Sequence, residues 1–259
     1  MTQTRRTFLT RGAAMAGAVT ILPYRLQAAA HAGDIFETGA GPVTVHPISH
    51  ASFVMETPLG TIYADPVGEP SAYDGLPAPD LVLVTHEHGD HYNAGTLAGL
   101  IAEDAPTPII TNPAVHAMLP APLAARSTAI ANGESTNTTG VTVDAIPAYN
   151  TTADRTRFHP EGRDNGYVIT VGGFRVYVSG DTEDIPEMRA LKNIDLAFVC
   201  MNLPFTMDAA HAASAVAEFK PTYVYPYHFR GRDGGTQDPA EFAALIGDAA
   251  QVKIGAWYG

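Results

Sequence analysis

The chain has 259 residues, 46% of them hydrophobic and 16% charged, and its formal net charge is −12. This length supports one sizeable hydrophobic core, while the acidic balance argues against nucleic acid as a partner because a polyanion would be repelled. The single cysteine, Cys200, excludes an internal disulfide.

The first 32 residues predict a cleaved export signal of the twin-arginine (Tat) type. Arg5 and Arg6 precede an apolar run at 12–22, and small residues follow it. An uncleaved anchor is the weaker alternative, because the apolar run is too short to cross about 30 Å of hydrocarbon as a helix. Without the segment 1–32, the chain holds 11 basic and 27 acidic residues (11 − 27 = −16). We expect a periplasmic or secreted protein with one domain at 33–259 and no membrane span.

Short apolar segments predict the elements of the first half of the domain. Alternating β-branched and aromatic residues indicate strands, and a 3.6-residue apolar period indicates helices. The expected order is strands at 43–48, 52–57, 60–65 and 80–85, a helix at 93–103, a strand at 108–111 and a helix at 113–119. The run DLVLVT at 80–85 is nearly continuously apolar, which is typical of a strand covered on both faces.

The second half repeats this alternation of strands and helices. The expected order is strands at 141–148, at 165–181 (two strands joined at Gly172–Gly173) and at 195–200, a helix at 208–219, a strand at 222–228 and a helix at 239–249. Strands that alternate with helices in both halves indicate an α/β domain, with two sheets packed together and helices outside.

The segment HEHGDH at 86–91 places three histidines and an aspartate directly after a predicted strand. Imidazole nitrogen and carboxylate oxygen are ligands that zinc and similar ions favour. His86 and His88 are two residues apart and can converge on one ion. Asp90 and His91 are adjacent and can serve a second ion nearby. A solvated histidine-rich loop is the alternative, but three histidines at this spacing favour a metal site.

The pattern His-x-His-x-Asp-His resembles the signature of the metallo-β-lactamase-fold hydrolases. Further matches follow in the order of that family: HAS at 50–52, IYADP at 62–66, SGDT at 179–182 and YPYHF at 225–229. They are most similar to the branch containing ascorbate-6-phosphate lactonase and N-acylphosphatidylethanolamine phospholipase D. The resemblance implies a single-domain, four-layer αββα sandwich with a two-metal site at the edge between its sheets.

The resemblance also implies a ligand set, which is His86, His88, Asp90, His91, Asp181 and His228. By this resemblance, His86 and His88 would hold one metal. Asp90, His91 and His228 would hold the second metal, and Asp181 would bridge both ions. Asp90 would in addition orient the attacking water, so that Asp90 and Asp181 are the expected catalytic residues.

One position departs from the pattern. Many relatives supply a third histidine to the first metal from the loop after the strand at 141–148, where this chain has Tyr149 and Asn150. His159, further along the same loop, is the expected substitute. Asn150 is the alternative through its carbonyl oxygen, which binds zinc weakly. We expect two divalent ions, with zinc as the first candidate and manganese or iron as alternatives.

Residues near the expected ligands are candidates for supporting roles. Asp65 ends a predicted strand and can accept a hydrogen bond from a liganding imidazole, although a plain turn before a proline is the alternative. His50 is a second candidate for a place near the metals. Arg230 and Arg232 follow His228 on a glycine-rich loop. They suit a carboxylate or a phosphate, unless the loop is simply solvated.

Three residues that flank the expected ligands are candidates to stabilise an oxyanion. Tyr149, Asn150 and Tyr227 carry donors that could meet a developing negative charge, although tyrosine is common at strand ends. Neither a GxSxG motif nor an exposed cysteine is evident to supply a serine or cysteine nucleophile. Hydrolysis by a metal-activated water therefore fits the sequence better than covalent catalysis.

The expected function is that of an exported metal-dependent hydrolase. Two divalent ions about 3.5–4 Å apart can share a water molecule and lower its pKa, so that a metal-bound hydroxide attacks the substrate. The expected substrate is a small molecule, neutral or anionic, with an ester, lactone or phosphodiester bond, and a β-lactam is less favoured. The alternatives are a non-catalytic periplasmic protein that binds or senses metal, and a di-iron redox protein.

Overall fold

The computed structural model describes residues 33–231 and 235–258. The predicted signal at 1–32 and Arg232 lie outside the described residues, so the export signal and the domain boundary stay predictions. Within the described part of the chain, two seven-stranded sheets are accompanied by six α-helices. None of the described helices combines the length and the apolar character that a membrane crossing needs.

The first sheet is built in chain order from the first half of the domain. Its strands are β1 (Asp34–Phe36), β2 (Val43–Ser49), β3 (Ser52–Thr57), β4 (Gly60–Ala64), β5 (Leu81–Val84), β6 (Ile109–Thr111) and β7 (Ser127–Ala129). Pairing is antiparallel from β1 to β4 and parallel from β4 to β7. A 3-10 turn at Pro70–Tyr73 and the helices α1 (Ala94–Leu100), α2 (Pro113–Met118) and α3 (Ala121–Ala124) connect the parallel strands.

The second sheet repeats this plan. Its strands are β8 (Ser135–Thr138), β9 (Val141–Ala148), β10 (Asp164–Val171), β11 (Phe174–Val178), β12 (Leu196–Cys200), β13 (Tyr223–Tyr227) and β14 (Gln251–Val252). Pairing is antiparallel from β8 to β11 and parallel from β11 to β14. The helices of this half are α4 (Pro186–Arg189), α5 (Ala209–Phe219) and α6 (Pro239–Ile246), followed by a 3-10 turn at Gly247–Ala249.

The central core lies between the two sheets. Phe53 on β3 stacks on Phe198 on β12, with 3.9 Å between the ring centroids. Successive side chains of a strand point to opposite faces. Phe53 therefore belongs to the inter-sheet cluster, whereas its neighbour Val54 packs with Leu97 and Val115 in a second cluster on the helix side. The sheets thus form the inner layers and the helices lie outside.

The fold class expected from the sequence is confirmed, because two mixed sheets with outer helices form an α/β sandwich. All the strands and helices expected from apolar patterning are present, with ends displaced by a few residues. The helix expected at 93–103 spans Ala94–Leu100. Asn93 caps its N-terminus, where the side-chain oxygen of Asn93 accepts a hydrogen bond from the backbone N–H of Thr96 (3.0 Å). The unexpected elements are strands of two to four residues and helices of four, which are too short to show a period.

The edge formed by the carboxyl ends of β9, β11 and β13 meets the end of β5 from the other sheet. There the backbone N–H of Asn165 donates to the carbonyl oxygen of Thr85 (3.2 Å). The hydroxyl of Tyr167 donates to the carbonyl oxygen of Val84 (2.8 Å). These inter-sheet hydrogen bonds hold the ends of the two sheets together. Loops that leave the strands at this edge consequently share a small volume.

Candidate metal centre

Loops from both sheets bring together all seven residues that the sequence suggests as metal ligands. The loop after β5 carries four of them, and the loops after β9, β11 and β13 carry one each. They are His86, His88, Asp90 and His91, then His159, Asp181 and His228. The carboxyl ends of parallel strands meet at one edge, which explains why residues so distant in the chain lie close together.

The first group of ligand atoms consists of ring nitrogens from His86, His88 and His159, which all lie within 4.8 Å of one another. The loop after β9 turns back so that the backbone N–H of Asn150 donates to the carbonyl oxygen of His159 (2.9 Å). The Asn150 side chain donates its own N–H groups to the carbonyl oxygens of Arg155 (3.0 Å) and Phe205 (2.7 Å). Asn150 thus anchors the loop, and the imidazole of His159 lies close to those of His86 and His88.

A second group contains ligand atoms of His50, Asp90 and His228, again within 4.8 Å of one another. The Oδ2 atom of Asp90 lies 3.4 Å from Nε2 of His228 and 3.4 Å from Nε2 of His50. His50 is therefore placed next to the expected second metal position, where the sequence left its role open.

Asp181 lies between the two groups. Its Oδ1 atom is 3.3 Å from Nε2 of His91 and 3.5 Å from Nε2 of His228. Its Oδ2 atom is 3.4 Å from Nε2 of His159. One carboxylate thus faces rings of both groups, one oxygen to each side, which is the arrangement that a bridging ligand requires.

Several of these atoms are buried without a hydrogen-bond partner among the described residues. They are Nε2 of His86, His91, His159 and His228, together with Oδ1 of Asp181. Buried polar atoms in native proteins are nearly always paired, so this many convergent exceptions need an explanation. Nitrogen and carboxylate oxygen donors of this kind satisfy a divalent cation such as zinc. The residues present fit a metal centre.

Buried carboxylates hold two of these rings in place. Oδ2 of Asp65 lies 2.7 Å from Nδ1 of His91 and also accepts the hydroxyl of Thr85 (2.7 Å). Oδ2 of Asp164 lies 2.9 Å from Nδ1 of His159. Such contacts fix the ring orientation and leave Nε2 free to bind a metal. The supporting contact expected of Asp65 is confirmed. Asp164 was not expected from the sequence, where only its closeness to His159 offered a signal.

The charge states suit metal binding. Burial lowers the pKa of the His86 imidazole well below its ordinary value, and the neighbouring His91 lowers it further. Burial also lowers the pKa of His88, with a contribution from His159. Neutral imidazole is the form that binds a metal. Burial alone would raise the pKa of Asp181, but His228 and His91 hold it well below the usual range, so that this carboxylate is ionised.

His91 is the exception among the rings. Burial would lower its pKa, but the carboxylates of Asp181 and Asp65 raise it well above the ordinary value. A proton therefore competes with a cation for Nε2 of this ring.

Three residues of the centre have left-handed backbone conformations that are uncommon outside glycine. These are His50 (φ 55°), Asp65 (φ 44°) and His228 (φ 49°). Such conformations cost of order 1–3 kcal/mol each and persist where the surrounding structure over-determines them. The backbone N–H of His228 donates to the carbonyl oxygen of His50 (3.1 Å), which ties two of the three together.

A cavity of about 510 Å³ opens beside these ligands. One side is formed by His50, His88, Asp90, His159 and Asp181. The other lining residues are Phe158, Asn202, Phe205, Arg230, Gly231 and Tyr258. Of this second set only Arg230 was singled out from the sequence. Phe158 and Gly231 are chain neighbours of expected site residues, whereas Asn202, Phe205 and Tyr258 belong to no recognisable motif and reach the cavity only through the fold.

The candidates for oxyanion stabilisation are placed elsewhere. The hydroxyl of Tyr149 donates to Oε2 of Glu187 (3.1 Å), and Tyr227 is fully buried in the inter-sheet core. The Asn150 amide is committed to backbone carbonyls. None of the three is among the residues that line the cavity, and their role toward an oxyanion stays a prediction. Strand-end tyrosines here complete the core instead.

Comparison with known proteins places this geometry among relatives. Residues 44–228 match the family described as "Beta-lactamase superfamily domain". A UPF0173 metal-dependent hydrolase of Thermococcus onnurineus is 34% identical over 179 residues, which are 68% of this chain and 78% of that protein. A related UPF0173 metal-dependent hydrolase of Pyrococcus abyssi is 31% identical over 179 residues, covering 68% of this chain and 77% of its own.

Solved structures show the same similarity. A candidate metal-dependent hydrolase from Parabacteroides distasonis superposes with a TM-score of 0.77 at 35% identity, covering 88% of this chain and all (100%) of its own. Igni18, a metallo hydrolase from Ignicoccus hospitalis, superposes with a TM-score of 0.67 at 22% identity, covering 82% of this chain and 94% of its own. The second likeness shows the fold alone.

Proposed function

The chain belongs to the metallo-β-lactamase superfamily and, within it, to the UPF0173 metal-dependent hydrolases, and on that premise we propose that it cleaves a small ester, lactone or phosphodiester at a two-metal site. That it is a metal-dependent hydrolase follows from the family. The number and identity of the metals, the substrate and the narrower lactonase and phospholipase branch are parts of the proposal.

The observation that carries the proposal is the set of unpaired buried donor atoms on both sides of Asp181. In the proposed assignment His86, His88 and His159 hold one divalent ion. Asp90, His91 and His228 would hold the other, and Asp181, whose two oxygens face rings on both sides, would contribute to both. Zinc is the metal that suits this mixture of imidazole and carboxylate best. The chemistry that such ions supply when bound is a lowered pKa of water and polarisation of a substrate oxygen.

The two acids that the family pattern suggests as catalytic differ in exposure. The side chain of Asp90 is 46% exposed and faces the cavity, whereas that of Asp181 is 4% exposed. Burial would raise the pKa of Asp90, but His228 and His50 hold it below the usual range. An ionised Asp90 can therefore accept a hydrogen bond from water in the cavity and orient it toward the substrate. The buried carboxylate of Asp181 instead positions the imidazole rings of His91, His159 and His228, whose Nε2 atoms lie near its oxygens.

Hydrolysis is favoured over a purely metal-binding or sensing role. A structural metal site closes its coordination with protein ligands, whereas a catalytic site keeps an open position. Here Asp90, His88 and His159 line an open cavity that a small molecule can enter. The relatives named as hydrolases agree with a catalytic role.

Export belongs to the proposal as well. It rests on Arg5 and Arg6, the apolar run and the small residues that follow, all read from the sequence. We propose a Tat-exported, periplasmic or secreted enzyme. Replacing both arginines by lysine should retain the protein in the cytoplasm, which cell fractionation measures; unchanged export of the variant would contradict this route.

Turnover tests the proposal. Purified protein should hydrolyse at least one of p-nitrophenyl acetate, γ-thiobutyrolactone and bis-p-nitrophenyl phosphate. A chelator should abolish this activity, and added zinc or manganese should restore it. His86→Ala should be inactive, whereas His116→Ala, at a histidine hydrogen-bonded to Ser127 away from the centre, should retain activity. Fully metallated protein that leaves a broad panel of such bonds intact would overturn the proposal.

A further inference from the structure

Arg230 is the only arginine or lysine among the described residues that line the cavity. Its guanidinium lies over the ring of Tyr258, with Cζ 4.2 Å from the ring centroid. Its backbone N–H donates to the hydroxyl oxygen of the same tyrosine (3.1 Å). A cation stacked on an aromatic face is held in place with its N–H donors still available at the edges of the guanidinium plane.

Some other arginines of the described chain are paired with acids. Arg155 pairs with Glu183 (2.8 Å), and Arg163 pairs with Asp164 (2.6 Å). Arg230 has no carboxylate within ion-pair distance among the described residues. Arg230 thus lines the cavity without a carboxylate partner among the described residues.

The position of Arg230 relative to the metal centre is fixed through Tyr258. The hydroxyl oxygen of Tyr258 is 2.8 Å from Nδ1 of His50, and Nε2 of His50 is 3.4 Å from Oδ2 of Asp90. The next residue, Gly231, packs so closely that a Cβ there would lie 2.4 Å from the carbonyl oxygen of Leu203. Both contacts hold the backbone at Arg230 against the site.

The remaining lining is mainly aromatic, and Asn202 adds a polar side chain. The rings of Phe158 and Phe205 meet edge to face, with 5.0 Å between their centroids. The Oδ1 atom of Asn202, a buried residue of the lining, has no hydrogen-bond partner among the described residues. The cavity thus combines one stacked cation, one unpaired amide and an aromatic surface beside the metal ligands.

We propose that Arg230 is a specificity-determining residue, which selects substrates that carry a carboxylate or phosphate group in addition to the bond that is hydrolysed. Guanidinium binds such groups through two parallel N–H donors. In a chain with a net charge of −12, one fixed cation in the cavity would make anionic substrates bind more tightly than neutral ones of the same shape. This inference rests on the proposed function, since it assumes that the reacting bond lies at the metal centre.

Two hydroxamates of matched length test the inference without turnover. Butanohydroxamic acid and succinic acid monohydroxamate carry the same metal-binding group, but the tail of the first ends in a methyl and that of the second in a carboxylate. Calorimetry on zinc-loaded protein should show about tenfold tighter binding of the succinate compound, as a charge-assisted hydrogen bond provides. Phosphonate in place of the carboxylate then distinguishes the two kinds of anion.

Variants of Arg230 and its neighbours test whether Arg230 causes the preference for the succinate compound. Arg230→Gln should bind both hydroxamates equally, and Arg230→Lys should keep only part of the preference, because lysine lacks the paired donors. Tyr258→Phe keeps the ring under the guanidinium but loses the hydroxyl contacts with His50 and with the backbone of Arg230, so it should reduce the preference in part. Tyr258→Leu loses the ring as well and should reduce the preference further. Arg157→Gln is the matched control, because Arg157 also stacks on an aromatic ring, that of Phe158, but does not line the cavity; its preference should equal that of the wild type.

The outcomes separate the two proposals. Equal binding of both hydroxamates by metal-loaded wild-type protein, or a preference that survives in Arg230→Gln, would overturn the role of Arg230 and leave the hydrolase proposal standing. A protein that takes up no metal and binds neither hydroxamate would overturn the proposed function, and this inference with it.

Discussion

The Oδ2 atom of Asp65 lies 2.7 Å from Nδ1 of His91, and both side chains are fully buried. The contact joins the end of one strand to the loop after the next and turns Nε2 of His91 toward Asp181. A ligand whose ring is oriented in advance binds metal more tightly than one that must be ordered on binding. The metal centre therefore depends on residues that are not themselves ligands.

Asp65→Asn tests this dependence. The amide keeps the size of the side chain but removes its charge, so we expect the metal affinity to fall by roughly 10- to 100-fold, as is typical when a partner of a liganding histidine is lost. Competition with a chromogenic chelator measures the affinity. Asp144→Asn is the control, because Asp144 accepts a hydrogen bond from Ser135 at the exposed surface. Equal affinities for the two variants would contradict the role of Asp65.

His159→Ala tests the substitute ligand. If His159 completes the first metal site, the variant should lose about one equivalent of metal and fall in turnover by more than 100-fold, because a direct ligand matters more than its supporting partner. Elemental analysis gives the count. Asn150→Ala should disturb the loop but keep the metal count when metal is in excess. Full metal content in His159→Ala, together with its loss in Asn150→Ala, would assign the position to Asn150.

Glu183 holds the loop that carries His159. Its Oε2 atom accepts the backbone N–H groups of Thr151 and Thr152 (2.7 Å each), and its Oε1 accepts a guanidinium N–H of Arg155 (2.8 Å). Burial would raise the pKa of Glu183, but hydrogen bonds from the side chains and backbone N–H groups of Thr152 and Thr151 lower it to about 2. Folding is thus stabilised by the ionised form.

The pH dependence of this stabilisation follows from the lowered pKa. The contribution is complete above the ordinary glutamate pKa of about 4.3 and is lost as the pH falls toward 2, because the unfolded chain takes up the proton first. Its upper limit is about 3 kcal/mol. Urea unfolding should therefore separate wild type from Glu183→Gln at pH 7 and much less at pH 3. The exposed Glu69→Gln should show no such gap at either pH. A gap that is constant with pH would contradict the assignment.

Acid should also release the metal. The carboxylates of Asp181 and Asp65 raise the pKa of His91, so that a proton competes for its Nε2 atom. We expect the apparent metal affinity to fall progressively as the pH decreases below 7, and metal titrations at pH 5, 6 and 7 to show this. In Asp65→Asn the pKa of His91 should be lower and the pH dependence weaker. An affinity that is independent of pH over this range would contradict the competition.

The sequence predicts the parts of the centre that local patterns encode. His86, His88 and Asp90 follow a strongly apolar strand, and Asp181 and His228 stand at the ends of other strands. The family resemblance implies their convergence, and these strand-end positions make it plausible. Even His159 was a candidate once the expected position held Asn150. The fold class followed for the same reason, since long apolar strands with helices between them leave few arrangements.

The parts that depend on tertiary packing were not predictable. Tyr258 reaches His50 across 208 positions in the chain, and no local pattern in a terminal tyrosine indicates such a contact. Asn202 and Phe205 enter the cavity through a loop without periodicity. Conversely, Tyr149 and Tyr227 stand beside expected ligands in the sequence but do not line the cavity. The hydroxyl of Tyr149 donates to Glu187, and Tyr227 is buried in the inter-sheet core.

The central claim is that two cations are held on either side of Asp181. Anomalous diffraction from crystals of zinc-loaded protein tests it most directly. The account predicts two peaks, one among His86, His88 and His159, and the other among Asp90, His91 and His228. A single peak, or metal bound away from Asp181, would contradict it.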